Sequence, residues 1–130
     1  MPKPTIQNML VCETAEKDQA GSWTLRRIIT GIISSDFPAI VEGLWVFFSV
    51  RGSLGTTSLV FEIARLPGSL DEPEVFFTSQ FPVKIIDPTR VHDQAFKVET
   101  IPFPYPGEYR CRLKWENEVL ADRVMLVIRQ

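Results

Sequence analysis

Hydrophobic and polar residues alternate along this chain in short runs, a pattern typical of β-strands. The clearest case is the stretch GEYRCRLKWE, residues 107–116, in which apolar or aromatic residues alternate with charged ones. Successive side chains of a strand point to opposite faces of a sheet. The stretch therefore predicts a strand with one face in the core and one face in water.

Runs of this kind, separated by turns rich in Pro and Gly, predict about eight strands. Their predicted bounds are 5–12, 23–33, 44–50, 58–65, 75–78 with 81–86, 95–101, 108–115 and 119–129. Gly31 is expected to bulge or end the second strand. The pieces 75–78 and 81–86 are also consistent with one strand broken near Pro82, which lacks an N–H and suits an edge or a bulge. In the connection SSDFPAIVEG, Ser35 or Asp36 is expected to cap a single helical turn.

This number of strands, with almost no helical periodicity, predicts an all-β fold. We expect one domain, residues 1–130, because no linker or internal repeat interrupts the pattern. The predicted architecture is an antiparallel two-sheet β-sandwich, immunoglobulin-like or jelly-roll-like with Greek-key connections. A closed barrel is the alternative, and the spacing of the strands does not separate the two.

The stretch PGEYRCRLKW resembles the last core strand of immunoglobulin domains, because a Tyr stands two places before a Cys. The resemblance implies that the Tyr109 hydroxyl bonds a nearby backbone group, as in a tyrosine corner. The second cysteine, Cys12, lies on the first predicted strand and not on the second, where an immunoglobulin domain has it. Since the sequence shows no secretory signal, two buried, reduced thiols are expected in preference to a disulfide.

Charge and composition argue against nucleic acid as a partner. The chain has 14 basic and 16 acidic residues, a net charge of −2, whereas a duplex-binding domain usually carries a positive excess. The nearest approach to a basic patch is Arg110, Arg112 and Lys114. Because Glu108 and Glu116 bracket these residues, a mixed-charge, solvated face is expected.

No segment of the sequence has the features of a membrane span or a secretory signal. The longest apolar run, 44–50, is much shorter than the ~20 residues of a spanning helix. The N-terminal stretch MPKPTIQNMLVC lacks the apolar region of a signal peptide. We therefore expect a cytoplasmic protein with no membrane partner.

The sequence offers no recognisable catalytic, metal or cofactor site, so an enzyme is not expected. His92 is the only histidine, and structural zinc requires four closely spaced ligands. His92 is expected to be a surface residue in a polar turn. Several acids lie in predicted loops, but without the spacing of a calcium loop, and ordinary turn hydrogen bonds are expected of them. These acids are Asp18, Asp36, Asp71, Glu72, Asp87 and Asp93.

The run Leu44-Trp45-Val46-Phe47-Phe48 is apolar on both faces of its predicted strand. One face of a sheet in an antiparallel sandwich normally meets water, so Trp45 and Phe47 require a cover. The first strand repeats the pattern, with Met9 and Val11 opposed to Leu10 and Cys12. Two explanations stay open. Either the connection 34–43 or the N-terminal arm folds over this face, or the face binds a protein.

The sequence thus predicts a non-catalytic protein-interaction or structural module. Its predicted contact residues are Trp45, Phe47, Met9 and Val11, with a protein partner or a second copy in a homodimer. The alternative is a sandwich that binds a small ligand, such as a carbohydrate, through the loop aromatics Phe103 and Tyr105.

Three stretches resemble an uncharacterised family of short bacterial proteins. They are MLVCE, GSWTLRRIITGIISSDFPA and PGEYRCRLKWENEVLADRVMLVI. Family members usually have a polar pair before the second strand, where this chain has Gly21-Ser22 followed by Trp23. The resemblance implies a β-sandwich, and it brings no catalytic residues, cofactor or partner.

Overall fold

Nine strands make up the described chain, which is residues 2–65 and 74–130 of a computed structural model. They are β1 (Thr5–Lys17), β2 (Trp23–Ile28), β3 (Gly31–Ser34), β4 (Ala39–Arg51), β5 (Gly55–Arg65), β6 (Glu74–Ile85), β7 (His92–Phe103), β8 (Gly107–Trp115) and β9 (Glu118–Arg129). They form a four-stranded sheet of order β2-β1-β4-β7 and a five-stranded sheet of order β3-β9-β8-β5-β6. The predicted all-β, two-sheet fold is confirmed.

The five-stranded sheet is mixed and not purely antiparallel, because β3 pairs in parallel with β9. The parallel pairing arises because the chain passes from one sheet to the other between β2 and β3. The Ile29 amide donates to the Val11 carbonyl of one sheet at 2.7 Å, and the next residue, Thr30, accepts from the Leu126 amide of the other at 3.1 Å. The strand predicted over 23–33 is therefore two strands, one in each sheet.

The connection before β4 has no helical turn. The Ser34 hydroxyl donates to the Asp36 carbonyl at 2.8 Å, and β4 begins at Ala39, five residues earlier than predicted. The helical turn expected from Ser35 or Asp36 is wrong. A side chain that bonds its neighbouring backbone competes with helix formation, and Ser34 does so here.

The two pieces predicted around Pro82 form one strand, β6, at the edge of the five-stranded sheet. Pro82 lies opposite Ser58 of β5. A proline cannot donate to a ladder, so an edge strand can hold it where a central strand cannot. Of the two positions predicted for Pro82, an edge or a bulge, the edge is confirmed.

Strands β4 to β9 follow the immunoglobulin arrangement. The order β9-β8-β5-β6 corresponds to strands G-F-C-C′ of that fold, and β4 beside β7 corresponds to B beside E. Tyr109, at the start of β8, is fully buried, and its hydroxyl donates to the Tyr105 carbonyl at 2.6 Å. The same hydroxyl accepts from the Tyr105 amide at 3.1 Å. The predicted tyrosine corner is confirmed.

The core lies between the two sheets and is closed on one side by aromatic rings. Phe81 of β6 stacks on Phe96 of β7, with 3.8 Å between ring centroids. The fully buried Phe48 and Phe61 contact this pair from the two sheets, at 5.8 Å from Phe81 and 5.8 Å from Phe96 respectively. These four rings link the β6 edge to the β7 edge.

The outer face of β8 carries the mixed charges predicted for it. Arg112 and Lys114 both approach Glu62 of β5, each with 3.5 Å between nitrogen and carboxylate oxygen. Arg110 lies 3.6 Å from Asp122 of β9. Glu62 is buried beneath its two basic neighbours, so this part of the face is less solvated than predicted.

Both cysteines are buried and unpaired, as predicted. Val11 packs in the core, so Cys12 faces the outer side of its sheet, where its thiol donates to the Trp45 carbonyl at 3.7 Å. Cys111 faces the core between the sheets. Burial raises the pKa of Cys111 to about 12 and also raises that of Cys12. Both thiols therefore stay protonated near neutral pH, a weakly nucleophilic state.

Candidate interaction surface

The outer face of the four-stranded sheet holds Trp45 and Phe47, the two predicted anchors. Trp45 is half-buried, and Phe47 is only 8% exposed. The ring of Trp23 packs on Phe47 edge-to-face, with centroids 6.0 Å apart. The Trp23 indole N–H donates to the Asp93 carbonyl of β7 at 3.1 Å. Phe47 is thus covered by the chain itself.

The cover is the hairpin of β1 and β2. Cys12 of β1 pairs with Trp45, and the hairpin continues for five more residues to Lys17, which pairs with Trp23. In a flat sheet this pairing would place Trp23 well beyond Trp45. Since the Trp23 ring instead packs on Phe47, the far end of the hairpin folds back over the outer face of β4 and β7. The two covers considered from the sequence were the connection 34–43 and the N-terminal arm, and this hairpin is neither of them.

Met9 and Val11 are buried in the core between the sheets. A register shift between Gln7 and Leu10, with Asn8 at φ 54°, sets the direction of the side chains that follow. Met9 and Val11 consequently present no surface to a partner in the folded chain. Of the four predicted contact residues, three are buried and Trp45 is half-buried.

We predict that Trp23→Ala lowers the free energy of unfolding by about 2 kcal/mol, because it uncovers Phe47 and leaves the Asp93 carbonyl without its indole donor. Urea unfolding followed by circular dichroism measures this loss. Trp23→Phe retains an aromatic cover and should lose about half as much. A change of less than ~0.5 kcal/mol in Trp23→Ala, the range of ordinary surface substitutions, would show that Phe47 depends on other contacts.

Four strands lie at the edges of the two sheets: β2, β7, β3 and β6. Natural edge strands usually carry charges, proline or bulges that prevent pairing with another chain. Three of the four do so here. β2 has Arg26 and Arg27, β7 has charged residues and Pro102, and β6 has Pro82 and Lys84. β3, with the sequence GIIS, has none of these protections.

Exposed aliphatic side chains surround this unprotected edge. Ile33 of β3 is 67% exposed and pairs directly with Ile128 of β9, which is 50% exposed. Leu126, two residues before Ile128 and on the same face, is 45% exposed. We call Gly31, Ile33, Leu126 and Ile128 the β3 edge surface.

The backbone of β3 has hydrogen-bonding groups on its open side. The carbonyls of Thr30 and Ser34 accept from the amides of Leu126 and Gln130 at 3.1 and 2.9 Å. In a parallel ladder, alternate residues direct their N–H and C=O to the same neighbour. Gly31 and Ile33 therefore direct theirs away from β9, toward the side on which the described chain has no further strand.

The sequence carried a signal for this surface that the strand prediction did not use. The run Val124-Met125-Leu126-Val127-Ile128 is apolar on both faces, the same feature that drew attention to residues 44–48. Only Met125 and Val127 of this run are fully buried. The run at 44–48 needed no partner because a hairpin covers it, whereas Leu126 and Ile128 stay exposed.

The loop aromatics of the ligand-binding alternative lie in different environments. Phe103 ends β7 and is fully buried, with its ring 5.1 Å from that of Tyr109. Tyr105 is on the surface, where the Arg65 guanidinium lies 5.2 Å from its ring. The two rings therefore do not form a shared exposed platform.

Two of the four described loop acids, Asp18 and Asp87, make the turn hydrogen bonds predicted for them. Asp18 accepts from the Ser22 amide, and Asp87 accepts from the Thr89 amide, each at 2.9 Å. Asp71 and Glu72 lie outside the described residues.

Within 2–65 and 74–130, no three residues of His, Cys, Asp or Glu gather in an arrangement that would hold a metal ion. The same residues contain no helix long and apolar enough to cross a bilayer.

A model of the Family of unknown function (DUF6941) matches residues 7–128. The chain belongs to this family. The match extends from the third residue of β1 almost to the end of β9, so it covers both sheets and the β3 edge surface. The expected membership of an uncharacterised β-rich family is confirmed. No curated protein matches the chain.

Proposed function

We propose that this DUF6941 domain is a non-catalytic protein-interaction module that binds a second copy of itself through the β3 edge surface. One observation carries the proposal. Among the four described edge strands, β3 alone lacks a charge or a proline, and exposed aliphatic side chains lie beside it. Such an edge is a template for pairing with another strand.

Antiparallel pairing of β3 with β3 of a second copy satisfies the open backbone groups. A two-fold axis at Ile32 places Gly31 of one copy opposite Ile33 of the other, and the reverse. Each such pair exchanges two hydrogen bonds, so the junction contains about four. The two five-stranded sheets would then join into one continuous sheet.

The chemistry of β3 favours a second copy as the occupant. The strand is uncharged, so pairing with itself places no like charges opposite one another. Gly31 has no side chain, which leaves room beside Ile33 of the other copy. Ile33 shares the face of Leu126 and Ile128, so in the paired sheet the Ile33 side chains of the two copies lie between the two β9 strips and shield the hydrogen bonds of the junction from water.

We predict that Ile33→Lys weakens self-association at least tenfold, because it places like charges beside each other at the junction. Sedimentation equilibrium over a range of protein concentrations measures the dimer dissociation constant. Leu54→Lys is the matched control, since Leu54 is 66% exposed and lies in the turn between β4 and β5, away from the β3 edge. At protein concentrations below the dimer dissociation constant, where association does not contribute to stability, the unfolding midpoints of both variants should stay close to that of the wild type.

Trp45→Ser separates this proposal from the surface first predicted from the sequence. If association uses the β3 edge, Trp45→Ser leaves the dissociation constant unchanged. A loss of association in Trp45→Ser with none in Ile33→Lys would overturn the β3 edge proposal and assign the contact to the outer face of the four-stranded sheet. A wild-type chain that is monomeric at high micromolar concentration would also overturn it.

A further inference from the structure

A groove of about 510 Å³ lies at one end of the sandwich, away from the β3 edge surface. The turn between β1 and β2 forms one wall, and the connection between β6 and β7 with the start of β7 forms the other. The side chains and backbone that matter for its chemistry are those of Lys17, Gly21, Asp87, Arg90, His92 and Asp93. A volume of this size is typical of small-molecule sites in proteins.

Hydrogen bonds within each turn fix both walls of the groove. In the β1–β2 turn, the Asp18 amide donates to the Ser22 carbonyl at 2.9 Å, and the Gly21 amide donates to the Asp18 carbonyl at 3.2 Å. In the β6–β7 connection, the ring Nε2 of His92 lies 2.9 Å from the Asp87 carbonyl. A carbonyl only accepts, so Nε2 carries the hydrogen. Walls held in this way lose little entropy when a ligand binds.

The two carboxylates of the groove are already bonded to the protein's own donors. Asp87 accepts from the Thr89 hydroxyl at 2.6 Å and from the Thr89 amide at 2.9 Å. The hydroxyl bond, followed by the amide bond, lowers the pKa of Asp87, so this carboxylate is ionised at neutral pH. Asp93 accepts from the buried Ser49 hydroxyl at 2.6 Å.

Within residues 2–65 and 74–130, the basic side chains of the groove form no ion pair. Lys17 and Arg90 line it, and Lys84 lines an adjoining hollow that shares Lys17, His92 and Asp93 with it. Among the described residues, none of these three cations lies within 4.0 Å of a carboxylate. The Lys17 ammonium lies 6.0 Å from the centre of the Trp23 ring, which helps to hold the lysine over the groove.

We propose that this groove binds a small molecule that bears a phosphate group. Its carboxylates accept hydrogen bonds from donors within the fold. In the described part of the chain, neither the two cations of the groove, Lys17 and Arg90, nor the neighbouring Lys84 forms an ion pair, so an anionic ligand supplies what the groove lacks. A phosphate group carries about two negative charges near neutral pH and three acceptor oxygens. It pairs with two cations at once, and the planar Arg90 guanidinium matches it with two parallel hydrogen bonds. A carboxylate has half the charge and fewer oxygens.

Isothermal titration calorimetry with pyrophosphate as the probe tests this inference. We expect saturable binding with one site per chain, and weaker binding as the salt concentration rises. Lys17→Gln and Arg90→Gln should each weaken the affinity at least fivefold. Arg26→Gln, which removes an exposed charge from β2 outside the groove, should leave it unchanged.

Three results would overturn the inference. The first is an absence of saturable pyrophosphate binding at millimolar concentration. The second is an equal loss of affinity in Arg26→Gln, which would indicate general attraction to the surface charge. The third is binding of the dicarboxylate succinate as tightly as pyrophosphate, which would contradict the phosphate assignment. The inference is independent of self-association, because the groove and the β3 edge surface share no residue.

Discussion

Replacing Phe61 by alanine is expected to lower the free energy of unfolding by about 3–5 kcal/mol. Phe61 is fully buried in β5, and its ring contacts Phe96 at 5.8 Å and Phe77 at 6.4 Å between centroids. Truncation removes the buried ring and leaves a cavity at the point where the four packed phenylalanine rings join the two sheets. Guanidinium unfolding monitored by circular dichroism provides the measurement.

Phe61→Leu is the control for this experiment, because it keeps most of the buried volume and should lose clearly less than Phe61→Ala. Nearly equal losses in the two variants would indicate that ring contacts, and not cavity volume, stabilise this part of the core. A loss of less than ~1 kcal/mol in Phe61→Ala would contradict the packing described here.

Tyr109→Phe is expected to lower the free energy of unfolding by about 1–3 kcal/mol. The substitution keeps the ring and removes only the hydroxyl that bonds both the amide and the carbonyl of Tyr105. These backbone groups are then left without their partner at the turn that leads into β8. Equilibrium unfolding of the variant and the wild type measures the difference.

Tyr105→Phe is the matched control for the tyrosine corner. It removes a hydroxyl from a half-exposed ring and leaves both backbone bonds of Tyr105 in place. It should change stability by less than ~0.5 kcal/mol. If Tyr105→Phe lost as much as Tyr109→Phe, the loss in Tyr109→Phe could not be assigned to the backbone hydrogen bonds of the tyrosine corner.

The sequence predicts the parts of this fold that depend on local pattern. Alternation over 107–116 places Tyr109, Cys111 and Leu113 in the core, and the order of Tyr and Cys in that strand predicts the tyrosine corner. Proline at position 82 predicts an edge strand for a covalent reason, since the residue has no N–H. In both cases the residues that form the sequence pattern are the same ones whose chemical groups, the Tyr109 hydroxyl and the missing N–H of Pro82, determine the structure.

The local pattern of apolar and polar residues does not indicate which distant segments of the chain come into contact. Nothing in residues 44–48 indicates that Trp23 covers Phe47, because the fold-back of the β1–β2 hairpin brings the two rings together. Likewise, the change of sheets depends on the bond of Ile29 to Val11 on another strand and on the bond of Thr30 to Leu126, which is almost one hundred positions away in the chain. Trp45 and Phe47 were therefore predicted as contact residues although the protein itself covers their face. Met9 and Val11 proved to lie in the core, and the exposed aliphatic residues of β9 were overlooked.

Hydrogen exchange measured by NMR at two protein concentrations tests the proposed self-association most directly. The amides of Gly31 and Ile33 are directed to the open side of β3, so in a monomer they exchange with solvent more readily than the amides bonded to β9. If β3 pairs with β3 of a second copy, protection of these two amides rises with protein concentration, and Ile33→Lys abolishes the rise. Rapid exchange of both amides at a concentration where the protein is dimeric would contradict the account.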